Sequence, residues 1–229
     1  MKHLRNTIFF LAFVAVFCPL TASAQNSRAY IRDAITELGE CRNVAITRTG
    51  GDLMIYGTNG FYQMGCPASL VSKLQELYAD GHYIDDVQIT ENGAWVVLYD
   101  DNGVAWSNIP RSLEKKIRAY NDEGERIDAI TFNDDGDWVV VGHTKYSASS
   151  TDFVEWLQEG EESYGELWTV CLTDDAMVAV YARGYQFVGE VPQSLKDALA
   201  QTQIDVYRLK IAGSSWFFAN KAGQYQYTM

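Results

Sequence analysis

Basic side chains are scarce in this chain: 18 Lys and Arg stand against 30 Asp and Glu in 229 residues. They are also scattered. With no basic run, the surface lacks the cationic patch that nucleic acid or anionic lipid requires, which excludes both as partners. Histidine is rarer still, and His82 and His143 have no partner at metal-ligand spacing. No metal and no cofactor is therefore expected. Only four prolines occur and no Pro/Gly/Ser-rich stretch divides the chain, so one domain is expected rather than two. Long apolar runs are missing beyond residue 20, which leaves no segment able to span a bilayer as a helix.

The one apolar run, Ile8 to Leu20, follows Lys2 and Arg5 and precedes Ala22-Ser23-Ala24. Charge, a short apolar core and an A-x-A site together read as a secretory signal peptide over residues 1–24, with cleavage before Gln25. Phe17 before Cys18 fits a lipoprotein site poorly. Removal of the leader takes two cations and brings the formal charge from −12 to about −14. A periplasmic or secreted acidic protein, monomeric and covering residues 25–229 as one domain, is the expectation. Export to an oxidising compartment makes cysteine pairing an open question. Cys41 and Cys66 form the obvious pair by position, but they fall at opposite ends of a three-stranded meander, beyond the ~7 Å limit for bridged Cα atoms. Cys171 would be a buried, inert thiol.

What is present in abundance is repetition. The stretch Ile84 to Leu113 contains an alternating strand around Val87 and Ile89, an Asn92-Gly93 turn and an apolar strand from Trp95 to Tyr99. A second turn at Asp101-Asn102-Gly103 and a short strand Val104–Ser107 follow. Pro110 then opens a helix whose apolar positions are Leu113, Ile117 and Tyr120, with Gly124 as its stop. Copies of this unit recur along the chain. The strand positions Val44, Val87, Ile130, Val170 and Leu209 are spaced by 43, 43, 40 and 39 residues. Pro67, Pro110 and Pro192 each begin a Pro-x-Ser-Leu helix start, where the third copy has Ser150-Thr151-Asp152-Phe153. The second-strand aromatic returns as Trp95, Trp138 and Trp216. A helical pattern from Ser27 to Leu38 precedes the first strands, so the parsing is helix-first. The predicted fold class is an α+β repeat protein: five helix-plus-three-stranded antiparallel units in a propeller-like ring, with an open curved stack as the alternative.

Few residues suggest chemistry. Ser112 and Lys115 match an S-x-x-K pattern, but Ser69 and Ser194 repeat the serine without the lysine, which marks a structural role. Asn133 to Asp137 gathers oxygens; an Asp-Gly hairpin accounts for it, with a weak cation site as the alternative. No paired carboxylates occupy an apolar setting that would make one an acid catalyst, and no catalytic residue is assigned. Irregular aromatics such as Trp168 lie near turns or strand ends, and the second-hairpin loops differ between copies. Trp106, His143, Tyr146, Arg183, Tyr185 and Tyr225 are therefore the candidate ligand-binding residues.

The pattern G-x-W-V-V, N-G, I-P-x-S-L resembles tandem repeats in exported bacterial proteins of propeller-like form, most without an assigned activity. The likeness covers nearly all of the mature chain. It implies an architecture rather than a reaction. Two functional expectations follow: an exported non-catalytic binding or scaffold module recognising a protein or glycan through hairpin loops, or an exported hydrolase with a carboxylate-based site at the ring axis.

Overall fold

The computed structural model describes residues 19–229, with side chains from residue 24. The leader expected at residues 1–24 lies outside that range except for its end, which begins the first helix. Five units follow one another. In unit 1, α1 (Pro19–Leu38) precedes β1 (Asn43–Ala45), β2 (Asp52–Tyr56) and β3 (Gly60–Met64). In unit 2, α2 (Ala68–Asp80) precedes β4 (Ile84–Ile89), β5 (Trp95–Tyr99) and β6 (Gly103–Ser107). Unit 3 has α3 (Arg111–Asp122), β7 (Ile127–Phe132), β8 (Trp138–Gly142) and β9 (Tyr146–Ala148). Unit 4 has α4 (Thr151–Tyr164), β10 (Leu167–Leu172), β11 (Ala176–Tyr181) and β12 (Gly184–Gly189). Unit 5 has α5 (Gln193–Gln201), β13 (Arg208–Ala212), β14 (Ser215–Ala219) and β15 (Tyr225–Thr228). Each set of strands is an antiparallel meander of three, as the repeat predicts.

The prolines do not sit in the first helical turn as expected. Pro67, Pro110 and Pro192 are N-cap residues with ψ of 135°, 137° and 133°. Their carbonyls still accept the first helical bonds, from the amides of Val71, Glu114 and Lys196. The missing proline N–H costs nothing there, because that group has no helical acceptor. Unit 4 solves the same problem differently: the Ser150 hydroxyl accepts the Phe153 N–H at 3.3 Å. Asn92-Gly93 also forms a longer turn than a two-residue hairpin. Ile89 pairs with Trp95, and the intervening loop is closed by the Thr90 N–H donating to the Ala94 carbonyl, with Gly93 at φ 81°.

Strand periodicity explains how one sheet serves two cores. Leu53 and Ile55 face α2, whereas Met54, between them, faces α1. The same division runs through sheet 2, where Trp95 and Val97 pack with α2 and Val96 and Leu98 pack with α3. Each helix thus fills the wedge between two consecutive sheets, instead of extending one sheet as a fourth layer. The apolar run Trp95–Leu98 is buried on both faces for this reason. The serine of Pro-x-Ser-Leu completes each wedge. Ser69, Ser112 and Ser194 accept the indole N–H of Trp95, Trp138 and Trp216 at 2.9, 2.9 and 3.0 Å. Unit 4, which lacks the Pro-x-Ser-Leu start, has Met177 where the tryptophan would be, and unit 1, which also lacks it, has Asp52 there.

The fifth wedge closes the ring. Ile31, Ala34 and Ile35 of α1 pack between Met54 of sheet 1 and Phe217 and Ala219 of sheet 5. β1 touches β4 on one side and β13 and β14 on the other, and β4, β7, β10 and β13 follow in order. Ser27 and Arg28 pin α1 to the buried Asp52 carboxylate at 2.7 and 2.9 Å.

The polar residues of the innermost strands do not face solvent, as a half-buried strand would suggest. They meet at the ring axis. Asp86, 5% exposed, accepts from Asn43 at 2.6 Å and from the Lys210 ammonium at 2.7 Å, and Lys210 also reaches the Gln88 side chain at 3.2 Å. Asp85 pairs with Arg208 at 2.7 Å. The axis is therefore plugged by compensated charge contributed by units 1, 2 and 5.

The three described cysteines are free thiols, so the pairing of Cys41 with Cys66 is not made. Cys41 precedes β1, whose first residue Asn43 pairs with Ile55; Cys66 follows β3 beside Asp52, at the other end of β2. About 10 Å of strand separates the two ends. Burial pushes the Cys41 and Cys66 thiols up to about 12 and Cys171 to about 11, which leaves all three inert as nucleophiles.

Candidate ligand-binding mouth

The two faces of the ring differ, and the difference begins in the innermost strands. In units 2, 3 and 4 the pairing register slips between Ile84 and Asp86, between Ile127 and Ala129, and between Leu167 and Thr169. The skipped residues are Asp85, Asp128 and Trp168. A bulge re-aims the extra side chain away from the alternation of its strand. In units 1 and 5 the equivalent residues, Arg42 and Tyr207, immediately precede β1 and β13. All five line one cavity of about 900 Å³ at the mouth of the ring. The volume lies within the range of small-molecule and oligomer sites.

Hairpins and joints complete the wall. Asp100 and Asp101 come from the second hairpin of unit 2, Gly142 to Tyr146 from that of unit 3, and Asn220 and Lys221 from that of unit 5. Tyr83, Arg126 and Glu166 come from the joints before the innermost strands. Trp168 and Tyr207 stack with centroids 4.7 Å apart and planes at 15°, and the Lys221 ammonium lies 4.4 Å over the Tyr207 ring. Cation–π attraction and stacking together fix this aromatic pair.

Most of the charge in the mouth is neutralised locally. Asp128 accepts from Arg126 at 2.8 Å, and the His143 ring is 3.7 Å from the same carboxylate. The hydrogen bond to Asp128 holds the Arg126 guanidinium above its ordinary value. Burial works against the charge on Arg208, but Asp85 and Asp86 outweigh it and its pKa is raised. Arg42 donates to the Thr58 and Ile84 carbonyls at 2.9 and 2.7 Å and lies over Tyr83, so it ties unit 1 to unit 2. The Tyr146 hydroxyl donates to Glu161 at 3.0 Å; burial first, and this bond second, raise its pKa. Asp100 is held below the usual carboxylate range by the Tyr83 N–H and then by His82. Among the described residues, Asp101 and Glu166 at the rim have no hydrogen-bond or ion-pair partner.

Of the six residues expected to bind ligand, His143 and Tyr146 line the mouth. The other four lie elsewhere. Trp106 is on β6, against the α3 core and under Arg118. Tyr185 on β12 stacks on Phe187, and Tyr225 on β15 stacks on Phe217 and Tyr227. Arg183, in the turn before β12, packs beside Gly165. Three of the five variable second hairpins reach the mouth, those of units 2, 3 and 5. Arg42, Asp85, Asp128 and Tyr207 were not singled out from sequence, and the signal was there: each lies two residues before its repeat position, where the five copies read Arg, Asp, Asp, Trp and Tyr.

The opposite face carries a recess of only about 30 Å³. Its acidic turns are consumed in lacing the units together. Glu91 accepts the Arg48 and Thr49 N–H groups at 2.7 and 3.0 Å, Asp134 accepts the Asn92 N–H at 3.0 Å, and Asp174 accepts the Asp134 N–H at 3.1 Å. Arg48 also reaches across to Asp175. The oxygen-rich run Asn133 to Asp137 is a turn of this lace, its Asn133 side chain capping the Asp137 N–H at 2.9 Å. Among the described residues no three His, Cys, Asp or Glu side chains converge as a metal centre requires. At the axis itself, the five positions of Asp86 and its equivalents carry Asn43, Asp86, Ala129, Thr169 and Arg208. A site assembled from one carboxylate per unit is not what the chain builds there. No family model, curated protein or solved structure matches this chain.

Proposed function

We propose that this chain is an exported, non-catalytic binding module that seats its ligand, a glycan or a protein segment, in the mouth of the ring. One observation carries the reading: one residue from each otherwise similar unit is turned into a single cavity, and the five are an arginine, two aspartates, a tryptophan and a tyrosine. A frame that repeats while its mouth does not is what selection for recognition leaves behind. The hydrolase alternative has less support, because Asp85 and Asp128 are each ion-paired with an arginine and Asp100 is held below the usual carboxylate range. An acid catalyst needs the reverse. Residues 1–24 act as the leader in this proposal, and the protein works as a monomer outside the cytoplasm, the destination that the resemblance to exported bacterial repeat proteins implies.

The test is a paired screen of the exported protein against oligosaccharides and peptides, with binding read by calorimetry and turnover by product analysis. Saturable binding without turnover, weakened by Trp168→Leu in a protein of unchanged circular dichroism, is the expected result. Turnover that disappears on substitution of one mouth carboxylate would end the binding-only view. Cell fractionation should find the chain beginning at Gln25 outside the cytoplasm.

A further inference from the structure

Resting on the proposed binding role of the mouth, we infer that its ligand is a neutral oligosaccharide end, bound by aromatic stacking and by hydroxyl hydrogen bonds to carboxylate–guanidinium pairs. Three observations converge on an uncharged polyol. First, both bulge carboxylates of the mouth are already matched: Asp85 with Arg208 at 2.7 Å and Asp128 with Arg126 at 2.8 Å. An ionic ligand would have to break such pairs, and a desolvated ion whose partner is removed is strongly disfavoured. Second, a paired carboxylate keeps free lone pairs and a paired guanidinium keeps free N–H groups, so each pair offers an acceptor and a donor side by side. Adjacent sugar hydroxyls offer the complementary donor and acceptor at similar spacing. Third, Trp168 stacks on Tyr207 at 4.7 Å, Lys221 lies over Tyr207, and Trp168 remains half-buried at the cavity wall, where its indole presents flat apolar surface in the same cavity as those polar pairs. The C–H face of a pyranose ring matches such a surface, and water leaving it adds to binding.

The alternative occupant is a charged peptide. Asp101 and Glu166 set against Lys221 leave little net charge at the rim to select one.

The experiment is titration of the full exported protein with a panel of neutral trisaccharides built of glucose, mannose, galactose, xylose and N-acetylglucosamine. Charged probes of similar size run beside it: a galacturonic acid trisaccharide, a lysine-rich pentapeptide and a glutamate-rich pentapeptide. The expected result is that one or more neutral trisaccharides bind, that Trp168→Leu weakens binding by at least about tenfold, and that Trp168→Phe recovers part of the loss. Affinity should not change between about 50 and about 500 mM salt, since no net charge is neutralised. Tyr207→Ala, which removes the ring that Trp168 stacks on, provides a second variant should Trp168→Leu fail to fold, and should weaken binding by at least about threefold. If only a charged probe binds, with salt-dependent affinity lost in Trp168→Leu, the glycan inference falls while the mouth remains a binding site. If no probe binds more tightly than about 10 mM, or if binding ignores the Trp168 variants, the inference and the mouth both fall.

Discussion

The two faces of the ring use the same ten-residue neighbourhood of each unit to opposite ends. On the closed face, the second residue after the innermost strand is acidic in units 2, 3 and 4, and Glu91, Asp134 and Asp174 each bond a backbone N–H of another unit. On the open face, the residues at the start of each innermost strand are Arg42, Asp85, Asp128, Trp168 and Tyr207, a mixture of cation, anions and aromatics. Where units agree, the side chain serves the frame; where they disagree, it faces the cavity. Between the two faces lies the charged plug of Asp86 and Lys210, which keeps them from communicating through an open channel.

The plug is where the comparison can be broken most severely. Asp86→Leu leaves the Lys210 ammonium buried without its counter-charge and should cost about 3–5 kcal/mol in urea unfolding, while adding Lys210→Met should recover most of that loss. On the closed face, Glu91→Ala removes the acceptor of two backbone N–H groups and should cost about 1–2 kcal/mol without weakening any mouth ligand. Ser112→Ala strips the Trp138 indole of its acceptor and should cost about 1 kcal/mol by the same measurement. Substitution at the open rim should do the reverse: Asp101→Asn with Glu166→Gln should leave stability within about 0.5 kcal/mol, with any change confined to ligand titrations.

The smallest effect is one of pH. Burial, and then the charges of Asp134, Asp135 and Glu91, raise the pKa of Asp174, although the Asp134 N–H opposes them. The folded protein therefore holds that proton more tightly than the unfolded chain. Stability should fall as pH rises from the ordinary aspartate value through the raised one. Asp174→Asn keeps an acceptor for the Asp134 N–H and removes the charge, so it should flatten the stability profile across that window and raise stability at neutral pH.

The frame was legible in the sequence because period-two and helical patterns survive wherever a residue's only task is to be buried. Val87, Ile89, Leu113 and Ile117 announce their faces by spacing alone, and they are buried where that spacing places them. The proline register was off by one residue, since an N-cap and a first-turn proline look alike without ψ. The axis is hidden from the sequence for a physical reason: Asp86 and Gln88 alternate with apolar residues as solvent-facing side chains do. Only the approach of Lys210, over 120 residues later, makes that face an interior. The mouth was least visible. Three of its residues, Asp85, Asp128 and Trp168, belong to bulges, which interrupt the alternation that sequence reading relies on, and its five members are each about forty residues apart. His143 and Tyr146 were found because they sit in a hairpin whose sequence departs from its counterparts, whereas Tyr225 and Tyr185 met the same criterion and pack on neighbouring aromatics instead.

All of this depends on five units closing about one axis with α1 as the final wedge, and native-state hydrogen exchange reads that directly. In a closed ring no unit is terminal, so the amides of β1 and of β13 and β14 should exchange as slowly as those of β5, β8 and β11. Exchange in units 1 and 5 faster by orders of magnitude, with protection declining from the middle of the chain to both ends, would mark an open stack and contradict the ring.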